Sequence, residues 1–156
     1  MADLLECLIQ IKGVADTPRR LARRVADAID GTSSQDAAGR LAHEVAARMA
    51  AAELWFSECL SLMLASEQPS LPAWPGCDVL PAEPAALAER QAEFAARRAE
   101  TVRVLQGCSA DQLNRIGIER SRGPMTVADL VAVMLAHDTD RLGALITLDA
   151  SRHRHP

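Results

Sequence analysis

Five prolines between Glu67 and Pro84 constrain the fold of this 156-residue chain more than any other feature of its sequence. Proline fixes its own φ angle and lacks a backbone N–H, so a continuous helix cannot pass through a segment with so many of them. Helical patterns lie on both sides of the segment. The sequence therefore predicts a long crossover loop whose apolar residues pack back onto the helices. These residues are Leu71, Trp74 and Leu80.

The region before the prolines carries one short and two long helical patterns. Asp3 to Lys12 has apolar residues at helical spacing, and Gly13 is expected to end that segment. Thr17 is a favourable N-cap and Pro18 suits the first helical position, so the first long helix is expected to start there. The second long helix is predicted over residues 35–66, where an apolar stripe recurs at helical spacing.

The region after the prolines carries two more long helical patterns. The third long helix is expected from Pro84 to Gln106. The segment from Ser109 to Gln112 has the form of a capping box and predicts a single helical turn. Residues 114–124 are expected to form an irregular loop. Thr126 and Asp129 form a second start of the capping-box type, which opens the fourth long helix.

The composition supports a helical protein with one core. The hydrophobic fraction is 49%, which is ample for a core in a chain of this length. Aromatic residues make up 3% and Tyr is absent, whereas β-rich domains favour aromatic and β-branched residues. The predicted fold class is all-α, a four-helix bundle with a long crossover loop between helices two and three. We expect one domain over residues 1–150 and a flexible tail over residues 151–156.

Charge and hydropathy exclude two classes of partner. The formal net charge is -4, whereas a nucleic-acid-binding domain needs a basic face that displaces counterions from phosphates. No apolar run approaches the roughly 20 residues that a membrane helix needs. The first residues lack the basic region of a signal peptide. We therefore expect a cytoplasmic protein that binds neither nucleic acid nor membranes.

Two stretches of the sequence resemble the DinB/YfiT-like superfamily, and the order of the elements resembles it over almost the whole chain. The first stretch runs from Arg48 to Phe56, and the more specific second one runs from Gly123 to Leu142. The resemblance implies a four-helix bundle with a divalent metal ion in an open cleft. It implies three ligands, which are a histidine on helix two, several residues before a glutamate, and a His-x-x-x-His pair on helix four. Such sites serve thiol-dependent transferases and isomerases.

This sequence departs from the metal pattern that the resemblance implies. His137 stands at the first position of the helix-four pair, but Arg141 stands at the second. On helix two, Arg48 stands where the histidine before Glu53 belongs. A guanidinium group offers only hydrogen-bond donors and cannot ligate a metal ion. An alignment that moved His43 to the metal position would misplace the glutamate, so we expect no metal cofactor.

The first functional hypothesis is that the protein binds a small anionic ligand in the cleft between helices two and four. Arg48 and Arg141 would hold the anion with bidentate geometry, and His137 would orient or protonate it. Glu53 would position an arginine. An internal network in which Glu53 and Asp140 neutralise the two arginines explains the same residues equally well.

Two alternatives remain open. One is a metal-dependent, thiol-linked transferase or hydrolase that uses Zn, Ni or Mn, in which His137 is a metal ligand and Glu53, Asp138 or His43 completes the set. The other is a non-catalytic, stress-associated interaction protein that forms a homodimer through helix one and the apolar residues of the proline-rich loop. In every case Trp74 is expected to plug the bundle rather than to stack on a ligand.

Overall fold

The computed structural model describes residues 3–30, 35–76 and 86–152. Four long helices dominate it, as the sequence predicts, and α5 is the fourth of them. In chain order the elements are α1 (Leu4–Asp30), α2 (Gln35–Ala65), α3 (Leu87–Gln106), α4 (Ala110–Leu113), β1 (Ile116–Glu119), β2 (Gly123–Thr126) and α5 (Val127–Arg152). In these described ranges, no helix combines the length and apolar character needed to cross a membrane.

The long helices pack so that α1 and α2 each lie between α3 and α5. The contact between α1 and α2 themselves is smaller, so these two consecutive helices face each other across the bundle. Each helix contributes an apolar stripe to the interior, which divides into two clusters. One cluster is centred on Phe56 and Met134, and the other on Phe94 and Leu142. The boundary between the clusters is the part of the core that positions the candidate site.

The sequence predicts that a short helix ends at Gly13 and that the first long helix starts at Thr17 and Pro18. Both predictions are wrong, because α1 runs through both points. A proline inside a helix leaves the carbonyl four residues earlier without its usual N–H donor. For Pro18 that carbonyl belongs to Val14, and it accepts a hydrogen bond of 2.9 Å from the Nη1 atom of Arg98. The freed carbonyl is therefore satisfied by a side chain from α3, and the helix continues.

Residues 114–124 are not the irregular loop that the sequence predicts. They contribute most of an antiparallel hairpin, in which β1 pairs with β2 from Ile116 opposite Thr126 to Glu119 opposite Gly123. The carboxylate of Glu119 accepts hydrogen bonds from the backbone N–H groups of Ser121 and Arg122 in the turn and from the Ser121 hydroxyl. These bonds, with the hydroxyl bond the largest contribution, lower the pKa of Glu119. A single acidic side chain thus closes the hairpin.

The hairpin anchors the described part of the crossover loop. The backbone N–H of Leu71 donates to the carbonyl of Ile118 at 2.8 Å, and the N–H of Ile118 donates to the carbonyl of Pro69 at 2.9 Å. The Leu71 side chain packs back onto the core, as predicted. Leu80 and Pro84, which carried two further predictions, lie outside the described residues. So do residues 153–156 of the predicted tail, whereas residues 151–152 belong to α5.

Gly117 allows the close approach between the loop and β1, which gives a first testable prediction. A Cβ atom at this position would lie 2.9 Å from the Leu71 side chain. We expect Gly117→Ala to lower the free energy of unfolding by about 1–3 kcal/mol, because overpacking displaces the loop. Gly39→Ala is the matched control: its Cβ meets nothing within 4 Å, so we expect a gain of about 0.5–1 kcal/mol. Urea denaturation that left Gly117→Ala as stable as the wild type would contradict the assigned packing.

Candidate functional site

A buried layer of polar side chains separates the two apolar clusters, with one residue from each long helix. Arg98, which is 1% exposed, lies at its centre. The Arg98 guanidinium donates to Glu53 Oε2 at 2.7 Å and to the two carboxylate oxygens of Asp138 at 2.5 and 3.0 Å. Thr17 Oγ1 donates to Asp138 Oδ2 at 2.6 Å. With the bond to the Val14 carbonyl, the layer ties all four helices together.

The charges of this layer are stabilised by one another. Burial alone would raise the pKa of Asp138, but the nearby His137 imidazole, the hydrogen bonds from Arg98 and Thr17, and the charge of Arg98 hold it below its ordinary value. Burial alone would lower the pKa of Arg98, but Asp138 and Glu53 raise it. The guanidinium and the Asp138 carboxylate are therefore both charged in the core. Among the described residues Glu53 Oε1 has no hydrogen-bond partner.

The lowered pKa of Asp138 predicts the acid sensitivity of the fold. A carboxyl group whose pKa is lowered by folding stabilises the native state fully above its unfolded-state pKa, near about 4. That contribution is lost as the pH falls through the lowered native value. We expect the free energy of unfolding to decrease over this acid range, and Asp138→Asn to flatten the decrease. An exposed control, Asp27→Asn, should leave it unchanged. Equal slopes in both variants would contradict the assignment.

Beside this layer, three of the residues singled out in the sequence line one small cavity. Arg48 comes from α2, and His137 and Arg141 come from successive turns of α5. The cavity has a volume of about 20 Å³. Its other lining residues are Ala51, Ala52, Trp74, Pro75 and Gly76. Glu53 does not line the cavity, because its side chain is committed to Arg98 in the buried layer.

Arg48 keeps one guanidinium nitrogen without a partner among the described residues. Its Nε and Nη2 atoms donate to Glu44 Oε1 at 3.0 and 2.7 Å. Its Nη1 atom is buried and, within the described ranges, has no hydrogen-bond partner. The predicted neutralisation of Arg48 by Glu53 is therefore wrong, and Glu44 is the partner instead. For Arg141, the predicted contact with Asp140 exists at 3.6 Å, but Asp140 is 76% exposed.

His137 connects the cavity to the buried polar layer. Its Nδ1 atom lies 4.0 Å from Asp138 Oδ1. Its ring makes edge contacts with Phe56 and with Trp74, at centroid distances of 6.0 and 5.5 Å. The imidazole is 13% exposed, so one side of it faces the core and the other faces the cavity.

Trp74 covers the bundle, as predicted, and it also lines both the small cavity and a second, wider one. Its ring packs perpendicular to Trp55 at 4.9 Å, and Trp55 Nε1 donates to the Pro72 carbonyl at 2.8 Å. The second cavity has a volume of about 280 Å³. It shares Trp74, His137 and Arg141 with the first cavity and is otherwise lined by Arg122, Val133, Ala136 and Asp140.

The residues named in the alternative metal hypothesis lie in different surroundings within the described part of the chain. In the part of the chain that the structure describes, no group of three or more His, Cys, Asp or Glu side chains could hold a metal ion. His43 lies on α2 and does not line either cavity. Asp138 is bound to Arg98. Of the thiols, Cys59 is buried, and burial, together with Glu58 and Glu119, raises its pKa to about 12, which disfavours a thiolate nucleophile.

Sequence analysis missed Arg98, although a signal was present. Arg98 follows Phe94 by four residues and precedes Val102 by four, and both neighbours are buried. This spacing places all three on one helix face. A charged residue inside an apolar stripe predicts a buried ion pair, since a buried charge must be paired.

Comparisons with known proteins agree with this architecture. A family model for the DinB superfamily matches residues 37–145, which include most of α2 and α5 and every residue that lines the small cavity. Among solved structures, the fold is similar to that of YfiT from Bacillus subtilis, which is described as a probable metal-dependent hydrolase with an unusual four-helix bundle topology. The TM-score is 0.82 at 12% identity, over 98% of this chain and 91% of that chain. No curated protein sequence matches significantly.

Proposed function

The chain belongs to the DinB superfamily, and from that premise we propose that it binds a small anion in the cleft between α2 and α5. Arg48 and Arg141 would hold the anion, and His137 would orient or protonate it. The observation that carries the proposal is the buried Nη1 atom of Arg48, which lacks a partner among the described residues. Leaving a buried donor unpaired costs about 1–3 kcal/mol, and an anionic oxygen in the cavity would offset that cost.

The acidic residues near the cleft support this proposal. Glu53 and Asp138 are fully buried and are bound to Arg98, so they do not compete with a ligand for Arg48 or Arg141. Glu44 occupies only two of the three guanidinium nitrogens of Arg48. A charge-assisted hydrogen bond from the remaining nitrogen is stronger than one between neutral groups. Arg48 therefore retains an unpaired guanidinium nitrogen, and it lines the cleft together with a second arginine.

The donor set does not fit a divalent metal ion. Among the described residues, His137 is the one imidazole that lines the small cavity, and Arg48 and Arg141 stand at the positions where the family resemblance implies the other two. Guanidinium groups cannot ligate metals and would repel a cation. We therefore do not extend the metal dependence described for YfiT to this chain, and we derive no reaction through a metal.

Thermal melting in the presence of anions tests the proposal. The ionic strength is held constant with sodium chloride. Under that condition, acetate or phosphate at ten times its dissociation constant should raise the melting temperature by about 3–6 °C. Arg48→Gln should abolish the shift. Arg103→Gln is the matched control, because Arg103 is 71% exposed and pairs with Glu100 on α3. Absence of any shift in the wild type, or an equal shift in Arg48→Gln, would contradict the proposal.

A second candidate function is self-association through α1. Four apolar side chains near its start are 45–67% exposed: Leu4, Leu5, Leu8 and Ile9. A contiguous exposed apolar patch is typical of an interaction surface. The loop residues Leu71 and Trp74 pack inward, so among the described residues of α1 and the loop the contact would be formed by α1. Sedimentation equilibrium should give a dimer that Leu5→Glu converts to a monomer, and a wild-type monomer at every concentration would contradict it.

A further inference from the structure

The two cavities beside Trp74 form one bipartite cleft. Trp74, His137 and Arg141 line both cavities, so the two spaces meet at these side chains. The small cavity of about 20 Å³ adds Arg48, and the wide cavity of about 280 Å³ adds residues of α5 and Arg122. A ligand held at the shared residues would therefore extend in two directions that differ in size and in chemistry.

The small cavity matches one class of anion by its size. A cavity needs at least about 10–15 Å³ for one water molecule, so this one holds about one or two oxygen-sized groups. A carboxylate has two oxygens in a plane, which suits the planar donor fork of an arginine. A phosphate has four oxygens in a tetrahedron and fits this space less well. The geometry therefore favours a carboxylate at Arg48 and Arg141.

The wide cavity offers an apolar surface next to the carboxylate position. Val133 precedes His137 by four residues on α5, so the two side chains lie on one face of the helix, and Ala136 lies beside them. The Trp74 ring forms a further apolar wall. The charged groups of this cavity are Arg122, whose guanidinium carbon lies 6.0 Å from the Trp74 ring centre, and the exposed Asp140 beside Arg141. An apolar chain or ring would cover Val133 and Trp74.

We propose that the ligand is a monocarboxylate with an apolar chain or ring, whose carboxylate occupies the small cavity and whose apolar part lies in the wide one. This inference rests on the proposed anion binding and adds the class of ligand. His137 and Arg141 line both cavities, so they would contact the ligand where its carboxylate meets its apolar part. Burial of each methylene group in the wide cavity should then tighten binding.

Calorimetric titration of the full-length protein with acetate, butanoate, hexanoate and inorganic phosphate tests this class. We expect each added methylene to tighten binding about two- to fourfold, and phosphate to bind more weakly than hexanoate. Equal affinities for acetate and hexanoate, or tighter binding of phosphate, would overturn the inference while leaving anion binding intact. No binding of any of these anions would overturn both proposals.

A pair of isosteric substitutions locates the apolar part. Val133→Thr keeps the shape of the side chain but makes the wall of the wide cavity polar, so the gain per methylene should fall towards one. Val104→Thr is the matched control, because Val104 is also half-buried but lies on α3, away from both cavities. If Val133→Thr retained the full gain, or if Val104→Thr lost it equally, the assignment of the apolar part to the wide cavity would be overturned.

Discussion

Replacing Arg98 with methionine is expected to lower the free energy of unfolding by about 3–5 kcal/mol, which is the usual effect of removing one partner from a buried ion pair. The loss is large because Arg98 compensates two fully buried carboxylates, Glu53 and Asp138. It also removes the donor to the Val14 carbonyl, which Pro18 leaves without a helical partner. One substitution thus removes the Arg98 donor from three polar groups that stay buried in the core.

Denaturation by guanidinium chloride measures this loss of stability when Arg98→Met is compared with a variant at the next position in the sequence. Arg97→Met is the matched control, because the Arg97 side chain is 43% exposed and its pair with Glu93 is a surface contact of 3.3 Å. We expect it to change stability by less than about 1 kcal/mol. If Arg98→Met does not fold, the added substitutions Glu53→Leu and Asp138→Leu should recover a folded protein, since no charge of the buried layer remains. Similar stability of Arg98→Met and Arg97→Met would contradict the assigned layer.

Replacing Arg48 and Arg141 together with histidine is expected to create a zinc site that holds about one equivalent of metal. His137 and a histidine at position 141 would lie one turn apart on α5, on the same face of the helix. A histidine at position 48 of α2 would complete a set of three imidazoles around the same cavity. Three protein ligands with an open fourth position are typical of a catalytic zinc site.

Elemental analysis after zinc loading and desalting provides the measurement. The double variant should retain zinc, and the same variant with His137→Ala should lose it. The single variant Arg141→His is the control for weak binding by two histidines. Retention of zinc only by the protein with three histidines would support the assigned positions. No zinc in the double variant would mean that the side chains at positions 48, 137 and 141 do not converge as the cavity indicates.

The sequence predicts the long helices and several of their ends because these depend on local patterns. The capping boxes at Ser109 and Thr126 form as expected, with reciprocal bonds to Gln112 and Asp129. Gly107 ends α3, as expected for glycine after a helix. The bundle itself follows from the resemblance to the superfamily and is confirmed by the family match and the similar fold.

The break predicted in α1 was wrong because the continuity of this helix depends on a residue that is distant in sequence. Local preferences treat Pro18 as a helix start, and they contain no information about Arg98, which is distant in sequence and binds the freed carbonyl. The hairpin after α4 was also missed. Its strands have four residues each, and its closure depends on the Glu119 carboxylate rather than on a strong turn sequence. Tertiary contacts decided both cases.

The candidate site was predicted in part. Arg48, His137 and Arg141 meet at one cavity, as the family resemblance implied. The partners of the acidic residues were wrong, because Glu53 and Asp138 bind Arg98 and leave Arg48 to Glu44. Each member of the polar layer occupies a core position in its own stripe. The layer could therefore have been predicted by treating each polar residue at a core position of a stripe as buried. These positions are Thr17 before Leu21, Glu53 after Met49, Arg98 between Phe94 and Val102, and Asp138 between Met134 and Leu142.

The buried layer and the cleft depend on each other through His137 and Asp138. Arg98 binds the Asp138 carboxylate, which lies 4.0 Å from Nδ1 of His137. The imidazole ring in turn contacts Trp74, which lines the cavity. The layer removes Glu53 and Asp138 from the cleft as competitors or metal ligands. In the proposed function, the guanidinium groups of Arg48 and Arg141 that line the cleft would favour an anion over a cation.

Crystals soaked with para-bromobenzoate test the proposed anion site most directly, because the bromine position is found from its anomalous scattering. We predict a carboxylate oxygen about 2.7–2.9 Å from the Nη1 atom of Arg48, beside Arg141, with the bromine in the wide cavity near Val133. Bromine sites only at exposed arginines such as Arg103, or a metal ion bound to His137, would contradict the proposed anion site.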